Sequence, residues 1–208
     1  MQNVRITNIS KTYGDKQVLN SISKEFAAGE TTVIMGASGC GKTTLLRILL
    51  GLEMPDSGEV IGMPEKGSVL FQEDRLCKDA SAYENIALVL ERKRTRAQKD
   101  VQKHHVEQEA AQIGITVEDL TQNVMELSGG MQRRIALLRA LLYDADCVIL
   151  DEPFKGLDAA TKQIVMQYVK EKTAGKTTFL VTHDAAEADF FGGNRWNLPT
   201  ENKNANDE

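Results

Sequence analysis

Thr31-Thr-Val-Ile-Met-Gly36-Ala-Ser-Gly-Cys-Gly-Lys42-Thr43-Thr44 holds an apolar run of strand length, a glycine-rich turn and the start of a helical pattern. Gly36 to Thr43 completes G-x-x-x-x-G-K-[ST]. Each residue type has a physical reason. Glycines let the backbone wrap closely around a phosphate with successive N–H groups pointing inward. The helix start adds a positive dipole end. Gly36, Ala37, Ser38, Gly39, Cys40, Gly41, Lys42, Thr43 and Thr44 are therefore the expected phosphate-binding set. Lys42 would neutralise β/γ oxygens, and the Thr43 hydroxyl would ligate Mg²⁺. The motif points to a nucleoside triphosphate but not to a reaction.

On either side the pattern is that of an α/β chain. Alternation over residues 4–9 and 18–26 predicts short antiparallel strands. The helix after the loop runs through Leu50, with Gly51 in the C′ position. Residues 54–67, rich in Pro and Gly, are expected to form turns, and 69–71 a short strand. Ser81 and Glu84 fit a capping box, with Ile86, Ala87 and Leu90 following at helical spacing. A charged stretch over 91–105 continues as helix to Ile113 and stops at Gly114. Met131, Ile135, Leu138 and Leu142 form one helical stripe, with Arg133, Arg134 and Arg139 largely elsewhere. Residues 147–150 and 177–181 are buried strands, with a helix between them over 158–173. Alternating strands and helices imply a mostly parallel sheet. The expected organisation is a discontinuous core over 1–72 and 129–200, a helical insert over 73–128, and a polar, disordered tail over 201–208.

A second chemical signal is Val148-Ile-Leu-Asp151-Glu152, a buried strand ending in two carboxylates. The carboxyl end of such a strand is where an open α/β sheet places its ligand. Asp151 would hold Mg²⁺ through water. Glu152 would orient, or take a proton from, an attacking water.

Composition narrows the partners. The 208 residues are 41% hydrophobic and 26% charged, the balance of a globular chain. The net charge of −5 gives no support for nucleic-acid binding. The three cysteines, Cys40, Cys77 and Cys147, show no disulfide or zinc spacing, and reduced cytoplasmic thiols are expected. There is no signal-peptide pattern and no apolar run approaching the ~20 residues of a membrane span. Any path across a membrane must then come from another chain.

Leu127-Ser128-Gly129-Gly130-Met131-Gln132, set before an amphipathic helix, resembles the signature of the ATP-binding cassette (ABC) ATPases. A glycine pair at a helix start is a second anion-binding device. In that family it serves the nucleotide held by the opposite subunit. Other family marks follow in order. Gln72 resembles the loop glutamine that senses Mg²⁺ and water. Lys155-Gly156-Leu157-Asp158 resembles the loop crossing the dimer interface. His183 resembles the histidine that contacts the γ-phosphate, and Tyr13 stands where the family places an aromatic ring against adenine. The resemblance spans about residues 2–192. It implies a P-loop NTPase core with a small antiparallel β subdomain and an inserted helical subdomain. It also implies ATP and Mg²⁺ as ligands, with Thr43, Gln72 and Asp151 on the metal and Lys42, Gln72, Glu152 and His183 in catalysis. Nucleotide contacts would come from the phosphate loop, Tyr13, Ser128, Gly129, Gly130 and Asp158.

The partners implied are a second, identical or pseudo-symmetric copy joined through nucleotide, an integral membrane permease and, indirectly, an extracytoplasmic solute-binding protein. The expected location is the cytoplasmic face of the membrane. Phe71-Gln-Glu-Asp-Arg-Leu76, residues 82–90 and Asp151-Glu-Pro-Phe154 are similar to import ATPases of the nitrate, sulfonate and taurine group. A non-transport cassette ATPase remains the alternative, and a small-molecule kinase is a further rival that leaves the Ser128 segment unexplained. The basic run Arg92, Lys93, Arg94, Arg96, Lys99 and Lys103 is read as a solvated helical face, with a partner or anionic headgroups as the second reading. His104 and His105 are expected to face solvent. Two departures from the family stand out. Lys155 replaces a small residue, and 192–198 (GGNRWNL) lacks the apolar strand expected there.

Overall fold

The computed structural model describes residues 2–199, so the expected tail at 201–208 lies outside the described residues. Five parallel strands form the central sheet: β3 (Thr31–Met35), β5 (Gly67–Leu70), β6 (Cys147–Asp151), β7 (Thr177–Val181) and β8 (Asn194–Asn197), in the order β5-β6-β7-β3-β8. Every residue of β6 and β7 is buried. That follows from cover on both faces, which also explains why these strands read as continuous apolar runs.

The strand period of two distributes the side chains between two cores. Val33, Val148, Leu150 and Leu180 face a cluster that includes residues of α5 (Gly129–Leu142), α6 (Ala159–Lys172) and α7 (Ala185–Phe191). Ile34, Cys147, Ile149, Phe179 and Val181 face the opposite way, against α1 (Lys42–Leu49) and an antiparallel sheet. That second sheet comprises β2 (Lys16–Phe26), β1 (Val4–Tyr13) and β4 (Ser57–Ile61), in that order. Phe26 fastens the two sheets, its ring edge-on to Phe179 at 5.0 Å and to Trp196 at 5.3 Å.

Local chemistry sets the boundaries of α1. Gly51 is left-handed, and the pairs Gly51 N–H to Ile48 O and Leu52 N–H to Arg47 O satisfy the last carbonyls as the sequence predicts. Between β5 and α5 lie α2 (Ala82–Ala87), α3 (Arg96–Gln112), α4 (Val117–Thr121) and a 3₁₀ turn. The capping box of Ser81 and Glu84 is present, and Thr95 with Gln98 and Thr116 with Asp119 form two more. Ile86, Val106 and Leu120 join the cluster that holds Leu150 and Leu180. Arg96, Lys99, Lys103, His104 and His105 are exposed on α3, as expected. The helix expected over 91–105 begins only at Arg96, because Thr95 caps it. Arg92, Arg94 and the half-buried Lys93 therefore precede it and do not share a helical face.

Two expectations about strands need correction. Residues 54–67 contain strand β4, which pairs antiparallel with β1. Four of its five residues are exposed, so it leaves no apolar alternation to read. Residues 192–198 contain β8, which pairs with β3 from Thr32–Asn194 to Met35–Asn197. It is a short edge strand held by its ladder and by Trp196 and Leu198, so it needs few apolar residues. Arg133, away from the stripe of Met131, Ile135, Leu138 and Leu142, is nonetheless only 4% exposed. Helix α5 is enclosed on more than one face, and its burial extends to Ala136, Leu137, Ala140 and Leu141.

Candidate functional site

The glycine-rich turn leaves β3 and enters α1 at the carboxyl edge of the central sheet. Gly36, Gly39 and Gly41 all have positive φ. A Cβ on Gly36 would lie 2.8 Å from Cys40 Sγ, and one on Gly41 would lie 2.9 Å from the Val18 carbonyl oxygen. The turn is thus closed to side chains at both ends. Gly41 caps α1 without any side chain, so the first-turn N–H groups remain available to an anion. The Lys42 ammonium folds back over the loop, donating to Gly36 O at 2.8 Å and Ala37 O at 2.9 Å.

Next to the loop, Thr43 Oγ1 donates to Asp151 Oδ2 at 3.0 Å. Burial at the end of β6 pushes the Asp151 carboxyl above its ordinary value, against the opposing effect of the Thr43 bond. Hydroxyl and carboxylate oxygens side by side are the donor set of a small hard cation. Among the described residues there is no cluster of three His, Cys, Asp or Glu of the kind that encloses a metal in protein alone. The pair therefore suits a cation whose remaining ligands come from phosphate and water.

Glu152 follows Asp151 in a left-handed conformation, φ +49°, with its N–H bonded to Val181 O at 2.9 Å. That backbone is costly for a residue with a Cβ and persists only under surrounding contacts. Its two carboxylate oxygens have different neighbours. His183 Nδ1 lies 3.2 Å from Oε1, and Lys155 Nζ lies 3.9 Å from Oε2. His183 is held between a buried Thr182, which donates to Glu187, and Asp184, the cap of α7.

A cleft of about 590 Å³ joins these groups. Gly36, Ser38, Gly39, Gly41, Lys42, Thr43, Thr44, Gln72, Asp151, Glu152 and His183 line it, together with Val18 and Lys155. Ala37 and Cys40 belong to the loop but do not line the cleft. Tyr13, Ser128, Gly129, Gly130 and Asp158 do not line it either. Tyr13 ends β1 with its ring half-exposed and its phenol donating to Glu53. Ser128 caps α5, and its hydroxyl accepts from Met131 N–H at 3.3 Å. A Cβ on Gly129 would meet nothing within 4 Å, so the turn is open there, whereas one on Gly130 would lie 3.4 Å from Gly156 O. Asp158 caps α6 by accepting from Ala160 and Thr161.

Arg133 escaped the sequence reading. The available signal was that α5 is apolar almost all round from Ile135 to Leu142, which marks an enclosed helix in which a charge must have partners.

A phosphate loop at a strand-to-helix turn, a hydroxyl–carboxylate pair beside it and a strand-end glutamate paired with histidine define a nucleoside-triphosphate hydrolase of the phosphate-loop class. Residues 19–155 match the ABC transporter family, and the chain belongs to it. It is 40% identical over 189 residues to an aliphatic sulfonates import ATP-binding protein of Paraburkholderia xenovorans, covering 89% of this chain and 72% of that one. It is 38% identical over 185 residues to a taurine import ATP-binding protein of Pseudomonas aeruginosa, covering 85% and 69%. Its fold superposes with TM-score 0.78, at 28% identity and 90% coverage of both chains, on the dimeric post-hydrolysis state of the ATP-binding cassette MJ0796 bound to ADP and Pi.

Proposed function

We propose that this chain is the ATP-hydrolysing subunit of an import system and works as a dimer around two ATP molecules. One observation carries the reading. The cleft gathers the Lys42 loop, the Thr43–Asp151 pair and the Glu152–His183 pair, yet the open Ser128–Gly130 turn of the same chain stays outside it. A second anion-binding turn with no cleft of its own is accounted for if it closes the cleft of another copy.

In this reading the loop N–H groups and Lys42 hold the β- and γ-phosphates. Thr43 and Asp151, with Gln72, would hold Mg²⁺, which neutralises phosphate charge during transfer. Glu152 orients the attacking water and accepts its proton, while His183 fixes the carboxylate and faces the γ-phosphate. Tyr13 offers a ring for adenine, and Asp158 lies in the loop that meets the partner. ATP bridging two copies favours the closed dimer, and hydrolysis removes the bridge.

No helix among the described residues is long and apolar enough to cross a membrane. The chain would act at the cytoplasmic face on an integral permease, with an extracytoplasmic solute-binding protein engaged indirectly and no nucleic-acid partner. Residues 73–128 are the proposed helical unit that passes motion to the permease, set against a core of 1–72 and 129–200. The relatives named for sulfonate, taurine and spermidine/putrescine import support import as the direction of transport.

Mixing two inactive variants tests the shared site. Lys42→Ala and Ser128→Arg each disable one half. A mixed dimer retains one complete site only if the halves come from different copies. Phosphate release that neither variant gives alone is the expected result, and a mixture as inactive as its components overturns the shared-site reading.

A further inference from the structure

One buried guanidinium joins two segments that shape the catalytic cleft, the Gln72 loop and the Asp151–Glu152 strand end. Arg133 lies one turn into α5, after the Ser128–Gly130 turn. Its Nη2 donates to Asp151 O at 2.6 Å and Glu152 O at 2.8 Å, and its Nε to Pro153 O at 3.3 Å. Its Nη1 donates to Phe71 O at 2.8 Å, to Gln72 O at 3.5 Å and to Asp74 Oδ1 at 2.7 Å. The five N–H groups of a guanidinium are thereby all engaged.

The geometry has a cause. Strands β5 and β6 are parallel neighbours, and their ladder ends at Leu70 and Leu150. The carbonyls that follow lie beyond the β5–β6 ladder, although Asp151 still pairs with Val181 of β7 on its other side. Left-handed Glu152 turns three successive ones, Asp151 to Pro153, toward a single point. A planar fork with five fixed donors can satisfy such a cluster, whereas a single ammonium cannot.

We infer that Arg133 is a positioning residue for hydrolysis. It sets the Gln72 loop and the Glu152 turn at one fixed spacing and ties both to the helix whose first turn is Ser128–Gly130. Engagement of that turn by a second copy would bear, through α5, on the glutamate and glutamine of the same chain. Arg133 touches no substrate, so its effect falls on the rate of the chemical step rather than on nucleotide binding. The inference rests on the hydrolase reading above.

The experiment compares wild type with Arg133→Lys, Arg133→Met and Asp74→Ala. It uses steady-state phosphate release, a fluorescent ATP analogue for affinity, and circular dichroism for folding. Arg133→Lys is expected to stay folded and to bind the analogue like wild type while kcat falls about 100-fold, the usual consequence of a misplaced catalytic group. Retaining the charge should not rescue the rate. Asp74→Ala, at the half-buried end of the network, gives a smaller fall in kcat at unchanged affinity, and it decides the matter if neither Arg133 variant folds. An Arg133→Lys enzyme with kcat within about two-fold of wild type overturns the inference, as does a kcat loss matched by an equal loss of affinity. A wild-type chain that binds ATP without hydrolysing it overturns the hydrolase reading itself.

Discussion

The Thr43 hydroxyl and the Asp151 carboxylate, 108 positions apart in sequence, meet at 3.0 Å where β6 ends beside the first turn of α1. This contact joins the two motifs that the sequence presents separately. It also sets a buried carboxyl next to the loop that receives phosphate. Burial raises the Asp151 pKa, so the folded chain without a cation disfavours its ionised form.

The first prediction follows from that sign. A carboxyl whose folded pKa lies above its unfolded value makes the folded state bind more protons, so stability falls as pH rises from the ordinary value of 3.8 through the folded value. Asp151→Asn removes this penalty. The nucleotide-free variant should melt higher than wild type at neutral pH, and the gain should shrink as pH is lowered toward 3.8. Scanning calorimetry over a pH series measures both, and a variant that melts lower at every pH contradicts the burial argument. Hydrolysis should be lost in the same variant.

Glu152→Gln keeps the shape of the side chain and its contact with His183 but removes the proton acceptor. Turnover should fall by about 10²–10⁴-fold, the usual contribution of a general base. Because ATP binding is unaffected, an ATP-bound dimer should accumulate and be visible by size-exclusion chromatography. Rapid phosphate release by this variant would remove Glu152 from the base role.

The buried periodic segments were legible in the sequence and the lightly buried ones were not. Strands β6 and β7 could be read because cover on two faces demands apolar residues at every position. The phosphate loop and the Ser81 capping box could be read because their chemistry is local. Strand β4 exposes four of five residues and β8 is polar, so both depend on pairing with distant strands that local pattern cannot reveal. Within the site, the residues that line the cleft came from motifs, apart from Val18 of β2. The contacts of Arg133 come from packing between α5 and two strand ends.

Strand β4 supplies a structural control. A Cβ on Gly58, at φ +90°, would lie 2.4 Å from the Thr7 carbonyl oxygen. Gly58→Ala should therefore destabilise the chain by at least about 1–3 kcal/mol, the cost of a strained backbone residue. Nucleotide affinity per folded molecule should not change, since Gly58 does not line the cleft. Urea denaturation and analogue titration separate the two effects, and wild-type stability would show that β1 and β4 are not so closely apposed.

The last prediction concerns Glu109, a buried carboxylate on α3 that accepts from Tyr168 Oη and Lys172 Nζ of α6, each at 2.7 Å. Burial pushes its pKa up, but the bonds from Lys172 and Tyr168, with the charges of Lys172 and His105, outweigh burial and hold it below the ordinary value of 4.5. A depressed folded pKa contributes stability that is present above 4.5 and is lost as pH falls through the folded value. Glu109→Gln cannot titrate, so its stability should depend less on pH below 4.5 than that of wild type. Tyr168→Phe leaves Oε2 with the 3.3 Å contact from Gln112 and should cost about 1–3 kcal/mol, the range for a buried acceptor losing its donor. Equilibrium denaturation of both variants across pH measures the two effects. Parallel pH curves for wild type and Glu109→Gln would mean that the carboxylate is not held in ionised form between α3 and α6.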